Sequence, residues 1–103
     1  MKPDKQPCVY IVTNCPHGVL YIGVTSDLTK RVWQHRSGDV AGFTKRYNCQ
    51  RLVWFDLFGE MEPAIAREKQ LKNWRRQWKL NLVEESNPDW QDLVEDFGFE
   101  PLR

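Results

Sequence analysis

The chain alternates dense apolar runs with stretches whose apolar residues recur at helical spacing. The dense runs are C-V-Y-I-V-T at Cys8 to Thr13, V-L-Y-I-G-V at Val19 to Val24 and R-L-V-W-F-D-L-F at Arg51 to Phe58. Their β-branched and aromatic content predicts strands. Asn14 to Gly18 carries Pro16 and Gly18, residues that set turn geometry, so the first two strands form a hairpin. The third run is apolar enough to predict burial on both faces over most of its length. Gly23 weakens the strand it sits in, which predicts either a bulge or a place where another backbone or a ligand comes close.

Thr25-Ser26-Asp27 supplies capping side chains for a helix over Leu28 to Ser37, and Gly38 stops it. Turning about 100° per residue puts Leu28, Val32, Arg31 and His35 on one arc and Trp33 nearly opposite. If Leu28 and Val32 face the sheet, Arg31 lies at the edge of the buried side, where an unpaired guanidinium costs several kcal/mol. Arg31 therefore requires an anion, from the protein or from a ligand. Val40 to Gln50 reads as a polar, basic connection. Gly59 to Glu62 turns the chain, and Pro63 opens a second helix as its first-turn residue. Ala64, Leu71 and Arg75 share an arc with Glu68 close beside it, so an acid is presented on or near the core-facing side. The helix bends around Lys72 to Trp74 and resumes over Arg75 to Glu85, with Trp78, Leu82 and Glu85 in register. Asn87-Pro88 ends it, because a residue before proline avoids helical geometry. Asp89 to Phe97 predicts a short closing helix that folds Trp90, Leu93 and Phe97 onto the core.

A chain of 103 residues suits one domain, since single cores take about 100–150 residues. We expect that domain over residues 7–97, between a flexible 1–6 and a loose 98–103. No apolar run approaches the roughly 20 residues of a membrane span, and M-K-P-D-K-Q-P lacks the apolar centre of a secretion signal, so a soluble, cytoplasmic protein with no membrane partner is expected. Cys8, Cys15 and Cys49 form an odd set with no C-x-x-C pair, which argues against a disulfide scaffold and a standard zinc site and fits a reducing compartment. Cys15-Pro16-His17 offers two metal ligands, but adjacent turn residues of this kind are far more often only a turn.

The formal net charge of +1 hides strong segregation. Lys30, Arg31, Arg36, Lys45, Arg46 and Arg51 oppose only Asp39 across residues 28–51, and Arg67, Lys69, Lys72, Arg75, Arg76 and Lys79 oppose only Glu68 across 67–79. From Glu84 onward the chain is acidic. Local basic surfaces of this density suit a phosphate backbone, whose binding is mainly counterion release from lysine and arginine contacts. The plain alternative is a solvated helix face with an acidic tail.

Tyr10 in C-V-Y, Tyr21-Ile22-Gly23 about ten residues later, Arg31 eight residues past that glycine and Glu68 in a later helix together resemble the GIY-YIG nuclease domain. The likeness runs over roughly residues 7–90. It is nearest to small stand-alone members with an A-x-x-R-E-K-Q-x-K core and an N-P-x-W-x-D-L ending, read here at Ala64 to Lys72 and Asn87 to Leu93. The resemblance implies an α+β fold, a small three-stranded antiparallel sheet flanked by helices. It implies a metal-dependent endonuclease acting on nucleic acid, with DNA as the expected substrate in repair or recombination. One Mg²⁺ or Mn²⁺ ion would sit on Glu68 and the scissile phosphate on Arg31. Tyr10, Tyr21 and His35 complete the catalytic set; which of them is the base stays open, since an ordinary phenol with a pKa of about 10 is protonated at neutral pH. Gly23 and Asn87 are supporting candidates. Cys8 stands where many members have glycine, Val24 where some place a lysine, and Asn81 competes with Asn87 for the family's late asparagine.

The chemistry asks for this set. In-line cleavage of a phosphodiester needs an activated water, neutralisation of the phosphoryl oxygens and relief of charge on the departing oxygen. Mg²⁺ can be held by one carboxylate while it keeps several waters. Taken singly, each residue has a plain role: the tyrosines as core aromatics, His35 as a packed or capping histidine, Glu68 as an i, i+4 partner of Lys72. Two other functions fit the same surface: a non-catalytic nucleic-acid-binding module, and a protein-interaction domain using Trp74, Trp78 and Trp90. Cleavage specificity is expected for shape, or to be weak, rather than for a long sequence.

Overall fold

The computed structural model describes residues 6–38 and 42–97, without the side chains of Phe43, Asp96 and Phe97. The order is β1 (Cys8–Thr13), β2 (Leu20–Thr25), α1 (Leu28–Ser37), α2 (Phe43–Arg46), β3 (Arg51–Leu57), α3 (Met61–Lys72), α4 (Arg76–Ser86) and a closing 3₁₀ helix (Leu93–Phe97). The sheet order is β2-β1-β3, antiparallel throughout. The fold is therefore α+β with a three-stranded antiparallel sheet between helices.

All six residues of β1 are buried, because the central strand has layers on both faces. Alternation then sorts its side chains. Val9 and Ile11 join Ile22, Val53, Trp54, Ala64, Leu71, Val83 and Trp90 on the α3/α4 side. Cys8, Tyr10 and Val12 join Leu28, Val32, Cys49, Leu52 and Val94 on the α1 side. Pairing carries the same sides across the sheet, since Tyr10 lies opposite Gly23 and Phe55, and Val12 opposite Tyr21 and Leu52. The register with β3 slips between Ile11 and Val12, so Val53 is the extra residue of a bulge.

The hairpin turn is tied by its own side chains. Asn14 Oδ1 accepts from the Val19 amide at 2.8 Å, the Gly18 amide donates to the Cys15 carbonyl at 2.9 Å, and His17 takes a φ of 60°. Helix α1 is capped as its sequence predicts: Asp27 accepts from the Lys30 amide at 3.2 Å, Thr25 Oγ1 accepts from the Asp27 amide at 3.1 Å, and Gly38 closes the helix at a φ of 79°. The α3–α4 break falls at Asn73 to Arg75, where the bend is expected.

Several expectations need correction. The Val40–Gln50 connection contains the four-residue helix α2, too short to leave a periodic pattern. Strand β3 is not sandwiched along its length: Asp56 is exposed and Leu57 is 53% exposed, because β3 is an edge strand and the helical layers cover only its first half. Helix α3 begins at Met61, ahead of Pro63, which still sits in the first turn where its missing N–H has no intrahelical partner. The closing helix starts at Leu93 rather than Asp89; Trp90 is buried at a φ of 55°, outside any helix. Asp92 stops a longer helix from forming by turning its carboxylate to the Leu52 and Val94 amides at 3.2 and 3.3 Å. The ends expected to be loose fall outside the described residues, apart from Gln6. No helix among the described residues is long and apolar enough to cross a membrane.

Candidate active site

Helix α1 carries Leu28, Val32 and His35 into the face of the sheet that bears Tyr10, and leaves Trp33 56% exposed on its far side. This is the arc read from the sequence. Three rings meet there: the centroids of Tyr10 and His35 are 5.7 Å apart, Tyr21 and His35 5.8 Å, and Tyr10 and Tyr21 6.5 Å. Gly23, opposite Tyr10 in the register, makes the cluster possible. A methyl group at position 23 would overlap the Tyr10 ring and hydroxyl. Where the sequence predicts a bulge, or another backbone or a ligand close to Gly23, the strand pairs regularly and what comes close is the Tyr10 side chain.

A chain of hydrogen bonds runs inward from the cluster. Tyr10 Oη is 3.0 Å from His35 Nε2, and His35 Nδ1 is 3.1 Å from Thr44 Oγ1. Tyr10 is 1% exposed and His35 4%, whereas Tyr21 is only half-buried. Thr44 is a site residue that sequence reading passed over; it lies in α2, where no motif marks it.

Burial dominates the electrostatics. It raises the Tyr10 phenol well above the ordinary tyrosine range; neighbouring Tyr21 and the Glu68 carboxylate push the same way, and the Arg31 guanidinium opposes them. Burial, helped by Arg31, lowers His35 to about 4, so the imidazole is neutral at neutral pH. Tyr10 therefore keeps its proton, and a neutral His35 can accept it in a hydrogen bond while donating to Thr44.

Glu68 arrives from the other layer. Its neighbours Ala64 and Leu71 pack on the Val9–Ile11 side of the sheet, and Glu68 lies on the flank of α3, between that buried stripe and solvent. Its side chain is 12% exposed and is paired with Lys72 Nζ at 2.7 Å. Although α3 packs on the opposite face from α1, the charge of Glu68 acts on the Tyr10 hydroxyl. Tyr10 thus feels the guanidinium from one layer and the carboxylate from the other. Among the described residues no three His, Cys, Asp or Glu side chains group to hold a metal. An ion at Glu68 would have one protein carboxylate, with water and phosphate oxygens completing its shell as Mg²⁺ allows. The ammonium at 2.7 Å shows that this carboxylate takes a cation as its neighbour.

Residues 6–81 match the family model described as the GIY-YIG catalytic domain. The chain belongs to the GIY-YIG family. GIY-YIG domains are nuclease domains, so a nucleic acid is the class of substrate to which the site belongs. A UPF0213 protein of Staphylococcus saprophyticus is 38% identical over 77 residues, 75% of this chain and 93% of that protein. One from the archaeon Haloquadratum walsbyi is also 38% identical over 77 residues, 75% of this chain and 85% of its own length. The solution NMR structure of a UPF0213 protein from Bacillus halodurans superposes with a TM-score of 0.54 at 30% identity, over 87% of this chain and 95% of that one. UPF0213 is a name that states no activity. The likeness to small members of the GIY-YIG family is thus carried by both sequence and fold.

Within the GIY-YIG frame two candidates change place. Asn87 is buried at the joint of α4, β3 and the closing segment: its amide donates to the Val53 carbonyl at 3.1 Å and the Gln91 carbonyl at 2.9 Å, and Oδ1 accepts from the Gln91 amide at 3.0 Å. With both amide hydrogens and the oxygen so used, Asn87 is a structural joint and not a member of the ring cluster. Trp90 is buried, as its expected place in the core requires and a protein-interaction surface of exposed tryptophans does not, against the His17 ring at 4.9 Å, and it donates to Glu84 at 3.1 Å. Trp74 and Trp78 do lie together at 5.9 Å, each beneath an arginine, Arg67 and Arg75. The turn pair Cys15 and His17 does not group into a metal site: Cys15 is exposed, and His17 pairs with Glu84 at 3.0 Å.

Proposed function

We propose that this GIY-YIG domain is a metal-dependent endonuclease that hydrolyses phosphodiester bonds in DNA, with weak sequence preference or selectivity for strand shape, and that it works in the cytoplasm. The observation that carries the reading is geometric: the rings of Tyr10, Tyr21 and His35 cluster, and Tyr21 lines one cavity with Lys72, the partner of Glu68 at 2.7 Å, so the acid of α3 comes close to the rings. Arg31 binds and neutralises the scissile phosphate. Glu68 is the carboxylate that would hold Mg²⁺ or Mn²⁺, and the bound ion would supply charge neutralisation at the phosphate and activation of water. Tyr21 is the phenol that meets substrate, because Tyr10 and His35 are sealed from solvent and Tyr21 is not. Tyr21 orients the attacking water, and as the phenolate, its own proton first released to solvent, it takes the proton of that water. Tyr10 and His35 form the rigid backing that fixes the Tyr21 ring, and Gly23 leaves room for them.

The Glu68–Lys72 pair favours a second reading, in which the acid serves structure and the domain binds nucleic acid without cutting it. One experiment separates the two. The purified protein is incubated with Mg²⁺ or Mn²⁺ and labelled plain, single-stranded, flapped and branched DNA, alongside Arg31→Ala and Glu68→Ala. The nuclease reading expects cleavage by the parent and none by either variant, with circular dichroism unchanged. Equal cleavage by Glu68→Ala refutes the assigned metal ligand, and binding without cleavage by the parent favours the second reading.

A further inference from the structure

Beside the edge strand β2 lies a cavity of about 250 Å³ lined by Leu20, Tyr21, Ile22, Lys72 and Lys79. It borders the ring cluster through Tyr21, which belongs to both. Its two ammonium groups come from different helices. Lys72 ends α3, and Lys79, in the first turns of α4, reaches back to within 3.5 Å of the Lys72 carbonyl. Among the described residues no carboxylate lines the cavity, and the nearby acid, Glu68, pairs with Lys72 at 2.7 Å. Glu68 already neutralises Lys72, so the charge that meets no carboxylate among the described residues lining the cavity is that of Lys79, whose ammonium reaches only a carbonyl. The remaining walls, Leu20 and Ile22, are apolar and suit a sugar more than a free ion.

We propose that Lys72 and Lys79 form a second phosphate subsite, which receives the sugar-phosphate backbone next to the bond that is cut. The proposal rests on the nuclease reading for the meaning of "next to", and its test is one of binding. The strand then runs from Arg31 across Tyr21 to the β2 edge. Lysine presents a point charge to a phosphate and reads no base, so the subsite adds affinity and register rather than sequence preference.

Lys79 also has a plain role, as a cation at the carbonyl end of α3. A salt titration separates the two. Binding of fluorescent single-stranded DNA, single-stranded RNA and duplex DNA is followed by anisotropy in EDTA, where nothing is cut, across a series of NaCl concentrations. Losing one phosphate contact lowers the slope of log K against log salt by about 0.9 on duplex and about 0.7 on single strands. Lys79→Ala is expected to show that loss and to bind every sequence more weakly by the same factor. On duplex, its deficit at 0.1 M salt shrinks about eightfold by 1 M. Lys72→Ala is expected to behave alike and Lys79→Arg to keep the parental slope.

Parental slopes for both Lys72→Ala and Lys79→Ala overturn the subsite, even if Lys79→Ala melts earlier, since that is what a helix-end role alone would give. A parent that binds none of the three probes at low salt overturns it as well. If the parent binds with the expected slopes but cuts nothing in Mg²⁺ or Mn²⁺, the subsite stands and the nuclease reading falls.

Discussion

Tyr10→Phe removes one oxygen atom from the centre of the candidate site. That oxygen is 3.0 Å from His35 Nε2, in a chain that continues to Thr44. Since Tyr10 is 1% exposed and His35 4%, bulk water cannot replace the lost partner. A buried polar group left without a hydrogen bond costs about 1–3 kcal/mol. Each kcal/mol lowers the melting temperature of a domain this size by about 4–8 °C, so a fall of about 5–20 °C is expected. Chemistry should suffer less than stability. The phenol keeps its proton and does not reach solvent, so single-turnover cleavage per folded molecule falls by less than about tenfold. Tyr21→Phe should show the opposite balance, because loss of a base costs about a hundredfold or more in rate. Thermal melts by circular dichroism and quenched single-turnover cleavage at a temperature where both variants are folded provide the two readouts. A Tyr10→Phe protein that melts with the parent and loses as much rate as Tyr21→Phe refutes the division of labour between the two tyrosines.

Stability should depend on pH through His35. Burial and Arg31 hold its pKa at about 4 in the folded protein against an ordinary value of 6.5, so between those values the unfolded chain binds more protons. The contribution is complete above pH 6.5 and is lost as pH falls toward 4; melts from pH 7 to 4.5 should show a decline that His35→Gln flattens. Gly23→Ala, which drives a methyl into the Tyr10 ring, is expected to cost about 1–3 kcal/mol or more as overpacking, visible in urea denaturation. Asn87→Ala removes three hydrogen bonds to Val53 and Gln91 and should lower stability by about 2 kcal/mol while the cleavage rate per folded molecule stays parental. A rate lost with stability intact would return Asn87 to the active site.

The sequence was most legible where a residue has one physical use. Asp27 and Gly38 delimit α1 because few side chains cap a helix start and few backbones adopt a φ of 79° at its end. The β-branched and aromatic density of C-V-Y-I-V-T could be read as a strand, and the α1 arc could be read down to Trp33 facing outward. Legibility failed where identity leaves the environment open. Leu57 is as apolar as Leu52, and only the position of β3 at the sheet edge decides that one is exposed and the other buried. Trp90 in a left-handed conformation contradicts its local preference, because the His17 ring and the Glu84 carboxylate reward burial of the indole. Gly23 could be read as a place of close approach, but what approaches depends on the register with Tyr10. Asn87 before Pro88 carried two readings, and hydrogen bonds across 34 residues to Val53 were needed to choose. The coexistence of Glu68 with Lys72 was visible as spacing; that the carboxylate is also near enough to bias Tyr10 was not.

Helix α1, with Arg31, and helix α3, with Glu68, lie on opposite layers of one thin sheet, so neither half of the molecule owns the proposed site. On the nuclease reading, a chain emerging from the ribosome completes its tyrosines and guanidinium first and would stay harmless to surrounding nucleic acids until α3, made later, closes over the far face. Any state in which that layer swings away would then disarm the proposed activity while leaving the hairpin and α1 in place, so cutting competence would report on the completeness of the whole fold.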